Sequence, residues 1–346
     1  MRRQAIREAP CAAAKVQNVV DAGVPGVAGN NPHPSIKKRR AVIAALVVDF
    51  RNICLIVIYM QVSLLQFSFL LFAAISPQDN RPLPDQATFM EQFRQKLTTP
   101  QKLLSQYTYT EKETEITLDS KGNAKKTETN TYHIIHGAEE WQTYERQIVK
   151  NGVPLTDKEL QKEDIKERER VENETRKRAG WSEAKRQEDK AKAQRKEREE
   201  ADDIFAAFDY RLVRREVLNG ISTILVDFKP KQNYKPKTSD ARQLQHVAGR
   251  LWISEDDQEF VKLEAEVIDS IKIGAGLLAR LQKGSTLKVE LRKINNEIWL
   301  PEKVEVLLNG RLLLLKGLNM RIVIEFSDHK KFNVDTILNF QEPAQN

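Results

Sequence analysis

The chain has 346 residues and a formal net charge of +7. That charge is local: residues 1–40 carry eight basic and two acidic side chains, 41–76 cancel, and 77–346 hold a net +1. A near-neutral domain lacks the basic footprint that draws a protein to nucleic-acid phosphates, so that class is set aside.

Residues 1–52 are a basic pre-region, expected to be disordered. It ends on the cluster Lys37-Lys38-Arg39-Arg40 and the short apolar stretch 41–48. Residues 53–76 contain no Asp, Glu, Lys or Arg, a run long enough to cross the ~30 Å hydrocarbon core of a bilayer. Positive charge ahead of such a run keeps the N-terminus in the cytoplasm and sends the C-terminal part across. Two readings stand for 53–76. One is a signal peptide cut near Ala74-Ile75-Ser76, where Pro77 is a poor neighbour for cleavage; the other is a retained anchor in the inner membrane. The long lead also admits a start further down, at Met60. Either way the remainder is expected to be exported to the periplasm or cell envelope. The two cysteines, Cys11 and Cys54, both precede that remainder, so its stability must come from an ordinary apolar core.

Residues 77–85 are a Pro-rich linker, followed by a domain over 86–340. Phe89, Met90, Phe93 and Leu97 recur at helical spacing, predicting a helix over 86–104 that Pro100 interrupts. Strands come next at 107–118, 125–136 and 141–149, with turns at 120–123 and Asn151-Gly152.

The stretch 157–203 breaks this pattern with 16 acidic and 15 basic side chains in 47 residues. Opposite charges three and four apart support a solvated helix, divided at Gly180-Trp181, and no apolar heptad seam marks a coiled coil. The bland reading is a solvated helical insertion; the sharper one is an arm centred on Trp181 that docks an envelope protein. Asp202-Asp203 are expected to cap a short helix carrying Ile204, Phe205 and Phe208.

Strands then resume at 210–217 and 221–228 around Asn219-Gly220, at 249–254, 260–268, 286–294 and 298–308, and at 319–326. Asn309-Gly310 reads as a further turn into 311–315, and 331–337 as a last strand. Residues 229–245 read as a polar loop, and 270–281 is ambiguous. The order predicts an α+β fold, mainly an antiparallel meander that curls, with the early helix plugging its concave face.

No catalytic constellation is legible. The HExxH, GxSxG, P-loop and paired-cysteine motifs are absent. His133 and His136 lie three apart on a strand and so face opposite sides, which argues against a metal site. Gly274 and Gly276 lack the context of a dinucleotide loop. No cofactor or metal is expected, and an unrecognised hydrolase is the residual enzymatic reading. What stands out is alternation. Ile224, Val226 and Phe228 share a face, as do Leu251 with Ile253, Val261 with Leu263 and Val267, and Leu287 with Val289 and Leu291. Together with Phe89 and Phe93 they mark either a packed core or an apolar groove for a lipid or acyl chain.

Gly249-Arg250-Leu251-Trp252-Ile253, the acidic turn after it, and Ile298-Trp299-Leu300-Pro301 resemble the outer-membrane lipoprotein carrier superfamily, with its LolA-type carriers and LolB-type receptors. The resemblance spans about 86–337, and its motif residues are Trp252, Trp299 and Pro301. It implies an unclosed antiparallel half-barrel covered by helices, with a hollow that accepts lipid or lipoprotein acyl chains. The charged insertion departs from that pattern.

Overall fold

A computed structural model describes residues 81–96, 106–136, 142–273, 279–312 and 315–331. The expectations for 1–52, 53–76, the linker part 77–80, Gly274 and Gly276, and 332–337 lie outside the described residues, as do 97–104 of the first helix. Among the described residues no helix is long and apolar enough to cross a membrane.

Helix α1 spans Gln86–Lys96. The Asp85 carboxylate opens it by accepting from the Thr88 backbone N–H at 2.9 Å, leaving Phe89, Met90 and Phe93 buried along one face. Strands β1 (Tyr107–Leu118), β2 (Ala124–Ile135), β3 (Tyr144–Lys150) and β4 (Val153–Pro154) come after it. Asn151 at φ 52° and Gly152 at φ 79° are both left-handed, as the tight turn between β3 and β4 requires.

Helices α2 (Asp157–Ala179) and α3 (Glu183–Ala206) form the charged insertion. Thr156 and Glu159 close a reciprocal capping box on α2, and Ser182 caps α3. Here the sequence expectation needs correcting. Asp202-Asp203 start no new helix; α3 runs on through them to Ala206, because Asp203 turns inward and serves another segment. Its carboxylate accepts from the backbone N–H of Lys237 and Thr238, from the Thr238 hydroxyl and from Tyr234 Oη. That clamp orders the polar loop and precedes the short helix α4 (Ser239–Leu244).

The remaining strands are β5 (Phe208–Leu218), β6 (Ile221–Pro230), β7 (Val247–Ser254), β8 (Phe260–Val267), β9 (Ile271–Ile273), β10 (Ala279–Leu281), β11 (Thr286–Ile294), β12 (Ile298–Leu312) and β13 (Leu315–Lys331). They make one 13-stranded antiparallel sheet ordered β4-β3-β2-β1-β13-β12-β11-β8-β7-β6-β5, with β9 and β10 as a flap against β12. The sheet is not closed: β4 and β5 are its two edges. It is not a simple meander either. Two meanders are joined where the first strand pairs with the last, Glu113 opposite Ile324 and Glu115 opposite Ile322.

The β5 edge is capped, and β3, which the two-residue β4 leaves largely open, is bonded at both ends. The Gln86 side chain acts as a one-residue strand against β5, donating from Nε2 to the Tyr210 carbonyl at 2.9 Å and accepting from the Leu212 N–H at 3.3 Å. On the other side, Arg170 of α2 donates to the Thr143 carbonyl at 3.1 Å, and Leu155 N–H donates to Ile148 O. Such cover blocks the edge-to-edge pairing that open sheets invite.

The expected turn at Asn309-Gly310 is also corrected: β12 continues through it, with Gly310 opposite Leu281 on one side and Leu318 on the other. Glycine is required there by crowding. A Cβ on Gly310 would stand 2.3 Å from the Arg280 carbonyl oxygen.

Candidate functional site

The alternating apolar residues lie together on one face of the sheet. Ile224, Val226 and Phe228 of β6 pair with Ile253, Leu251 and Gly249 of β7, so their side chains share one face. Leu263 and Val267 of β8 and Leu287, Val289 and Leu291 of β11 extend that face. Val304, Val306 and Leu308 of β12 and Met320, Ile322 and Ile324 of β13 complete it, a part that the alternation of the middle strands did not reveal. At the Trp252/Ile253 bulge an extra residue lets both Phe260 and Val261 turn inward.

Phe89, Met90 and Phe93 of α1 lie in the same cluster, covering this inner face as a plug. The result is packed. Ile224, Val226, Ile253 and Val289 are each 0% exposed, and of the named strand residues only Leu251 is half-buried. Aromatic contacts close one end, where Phe208 meets Phe228 edge-on at 5.2 Å and Tyr210 stacks on Phe205 at 4.8 Å. Burial pushes the Tyr210 hydroxyl well above its ordinary pKa, and that hydroxyl donates to the Phe205 carbonyl.

The motif residues separate. Trp299 lies in the core cluster and donates to Asp257 Oδ2 at 3.1 Å, while Lys293 Nζ bonds the same carboxylate at 2.8 Å. Pro301 sits opposite Leu291 at a bulge, where a residue without an N–H is tolerated. Trp252 faces the other way. It is paired with Leu225 and Lys262, its indole N–H donates to the Glu216 carboxylate, and Lys262 Nζ lies 5.0 Å from its ring. It braces the outer face and takes no part in the candidate groove.

A feature absent from the sequence reading appears where β1 joins β13. The face that carries Ile322 and Ile324 becomes acidic one strand over, at Glu111, Glu113 and Glu115. Tyr132, opposite Glu111 on β2, has its phenol pushed up to about 12, by burial first and then by Glu113, Glu111, Glu145 and Glu115. Among the described residues the inner surface is therefore apolar beneath the strands from β6 to β13 and acidic beneath β1. His133 is exposed, whereas His136 rests against Tyr109 at 5.6 Å, so the two do not converge. No group of three metal-ligating side chains occurs among the described residues.

The charged arm is anchored at both roots. Asp164 of α2 accepts from Arg146 Nε at 2.8 Å and Nη2 at 2.7 Å and from Tyr144 Oη at 3.0 Å. Ile204 and Phe205, at the end of α3, pack against the core cluster. Because β4 and β5 are opposite edges, the arm leaves from one side of the open sheet and returns to the other.

No protein-family model and no curated protein matches the sequence. Solved structures do. A LolA superfamily protein from Nitrosomonas europaea is similar at 9% identity and a TM-score of 0.29, over 72% of this chain and 95% of its own. A DUF1329 family protein from Desulfovibrio piger has 14% identity and TM-score 0.26, over 71% and 92%. A putative outer membrane lipoprotein-sorting protein domain from Vibrio parahaemolyticus has 10% identity and TM-score 0.23, over 65% and 84%. The half-open antiparallel fold itself rests on this chain's own strand order.

Proposed function

We propose that this is an exported envelope protein that takes an acyl chain, from a lipid or a lipoprotein, onto the apolar inner face of its half-barrel. One observation carries the reading. An apolar floor built by six strands is covered by a separate 11-residue helix that contributes three large side chains and belongs to no layer of its own. Such a helix can yield while the sheet stays whole. An acyl chain in its place would bury comparable apolar area at about 25 cal/mol per Å². The test is an organic extract of the purified full chain, analysed for lipid, together with titration by a fluorescent acyl probe. Bound lipid or saturable probe binding supports carriage; a lipid-free protein that ignores the probe removes it.

A second reading, an envelope interaction or sensor module, is favoured by the packed state of the same residues. In that case the core is only a core, and the arm does the work. A photo-crosslinker at the exposed Lys190 then captures an envelope protein in cells; the absence of any capture from a folded protein counts against this reading.

A further inference from the structure

The arm distributes its charge unevenly. Over 157–175 the net charge is −3, and over 187–203 it is −2. Between them, residues 176–186 read RKRAGWSEAKR and carry five basic side chains against Glu183 alone, a net +4. This is the elbow between α2 and α3. Trp181 lies at its centre and is the only aromatic residue in 157–203.

The elbow stands away from the body. Every residue from Ser182 to Glu199 is exposed, and the helical part of that stretch, 183–199, spans about 26 Å at 1.5 Å per residue. On the other leg, Asp164 bonds β3 and Arg170 bonds the Thr143 carbonyl just before that strand. The Trp181 ring is half-buried among cations, with the Arg178 guanidinium 5.1 Å and Lys185 Nζ 5.4 Å from its centroid. Arg176, Lys177, Lys185 and Arg186 are exposed around it. Their pairing is local and partial: Lys177 meets Glu174 at 2.6 Å, and Arg186 lies 4.0 Å from Glu183.

We infer that this elbow docks on an anionic phospholipid surface. A tryptophan ringed by long basic side chains is the chemistry of the headgroup layer, where the indole sits at the boundary and the cations meet phosphates. The patch is built from exposed side chains on two helix ends. That suits a fluid surface of many equivalent anions better than a shaped protein pocket. The two acidic legs keep the rest of the arm off the same surface, which leaves the elbow as the point of contact.

The experiment uses the full chain reconstituted in vesicles of phosphatidylcholine brominated near the headgroup, with and without phosphatidylglycerol. Tryptophan emission is compared between the native chain and Trp181→Phe, so that the difference isolates Trp181. Quenching of that component in the anionic vesicles, and much less in the neutral ones, is expected. Each basic side chain near an anionic surface strengthens attachment about fivefold, so Arg176→Glu with Lys177→Glu and Arg186→Glu weakens it more than about a hundredfold and removes the quenching. These positions lie on the exposed arm, and an unchanged melting temperature checks that the domain is intact. The inference is overturned if Trp181 stays unquenched in both vesicles, is quenched equally in both, or is still quenched in the triple variant. An elbow that cross-links to an acidic protein while remaining unquenched overturns it in favour of a protein partner.

Discussion

Arg94 of α1 donates through Nη1 to Asp202 Oδ1 of α3 at 2.6 Å, so the helix that plugs the half-barrel is tied directly to the root of the charged arm. Glu91 holds the same guanidinium in place from within α1, with Nε and Nη2 each 2.8 Å from its carboxylate. Both partners are about half-exposed, at 36% and 49%, and such pairs add roughly 0–1 kcal/mol. Asp202→Asn is therefore expected to cost less than about 1 kcal/mol in global stability. Its effect is local: amide exchange over 86–96 quickens by up to about fivefold while β6 to β8 stay protected. Hydrogen exchange read by mass spectrometry checks this, and uniform acceleration across the chain would show that the pair is no local tether.

Its neighbour Asp203 is 5% exposed and does a different job. Burial alone would raise its pKa, but hydrogen bonds from the Thr238 backbone, Tyr234, the Thr238 hydroxyl and the Lys237 backbone outweigh that and hold it below the ordinary aspartate value. Asp203→Ala strands those donors, and a cost of about 3 kcal/mol is expected, read as a lower urea midpoint. The sign with pH is set by the lowered folded-state value. The contribution is fully present above the unfolded aspartate pKa of about 3.9 and is lost as pH falls through the lower folded value. Asp203→Asn should accordingly flatten the stability profile below about pH 4, and an acid limb identical to the native one would refute this assignment.

Gly249 begins the run Gly249-Arg250-Leu251-Trp252-Ile253 in β7, and the structure gives a packing reason for it. A Cβ there would lie 2.0 Å from the Glu264 carbonyl oxygen and 2.9 Å from Phe228 Cζ, where the ring crosses β7. The carbonyl belongs to the adjacent strand and cannot step aside without shifting the ladder. Gly249→Ala is expected to destabilise by about 3 kcal/mol or more, with Phe228 displaced. Phe228→Leu in the same chain removes only the side-chain clash, leaves the backbone ones with the Glu264 carbonyl and with Ala265 Cα at 2.8 Å, and should recover little. Thermal unfolding of the single and double variants measures both steps.

Much of the architecture was legible because the signals are local. Asn219-Gly220 and Asn151-Gly152 announce their turns through left-handed φ, and Ile224, Val226 and Phe228 announce a buried face through a period of two. What escaped depends on contacts distant in sequence. Gly310 looked like a turn glycine; its true constraint is the Arg280 carbonyl across the flap, which no local pattern encodes. Asp203 looked like a cap for the residues just after it, while its four donors lie about 35 residues on. The side taken by Trp252 is dictated by alternation with Leu251 and Ile253, so its outward position could have been read from the motif itself. The acidic wall at Glu111, Glu113 and Glu115 could not, since it joins the apolar face only because β1 pairs with β13.

Phe93 offers a way to separate a filled core from a groove that a ligand can occupy. It is 5% exposed and belongs to α1, so truncating it leaves the strands untouched. Phe93→Ala is expected to lower stability by about 3–5 kcal/mol, from lost apolar burial plus the cavity left under the helix. If the inner face accepts acyl chains, that cavity is a vacancy of the right chemistry. A neutral acylated peptide should then bind the variant and restore stability in proportion to ligand concentration, by about 2.7 kcal/mol at a hundred times its Kd. The same peptide without its acyl chain should restore nothing. The measurement is the thermal midpoint of native and variant chains against ligand concentration. Recovery in Phe93→Ala places the acyl chain under α1, whereas a variant that is destabilised yet indifferent to the peptide would mean that Phe93 fills a core and guards no site.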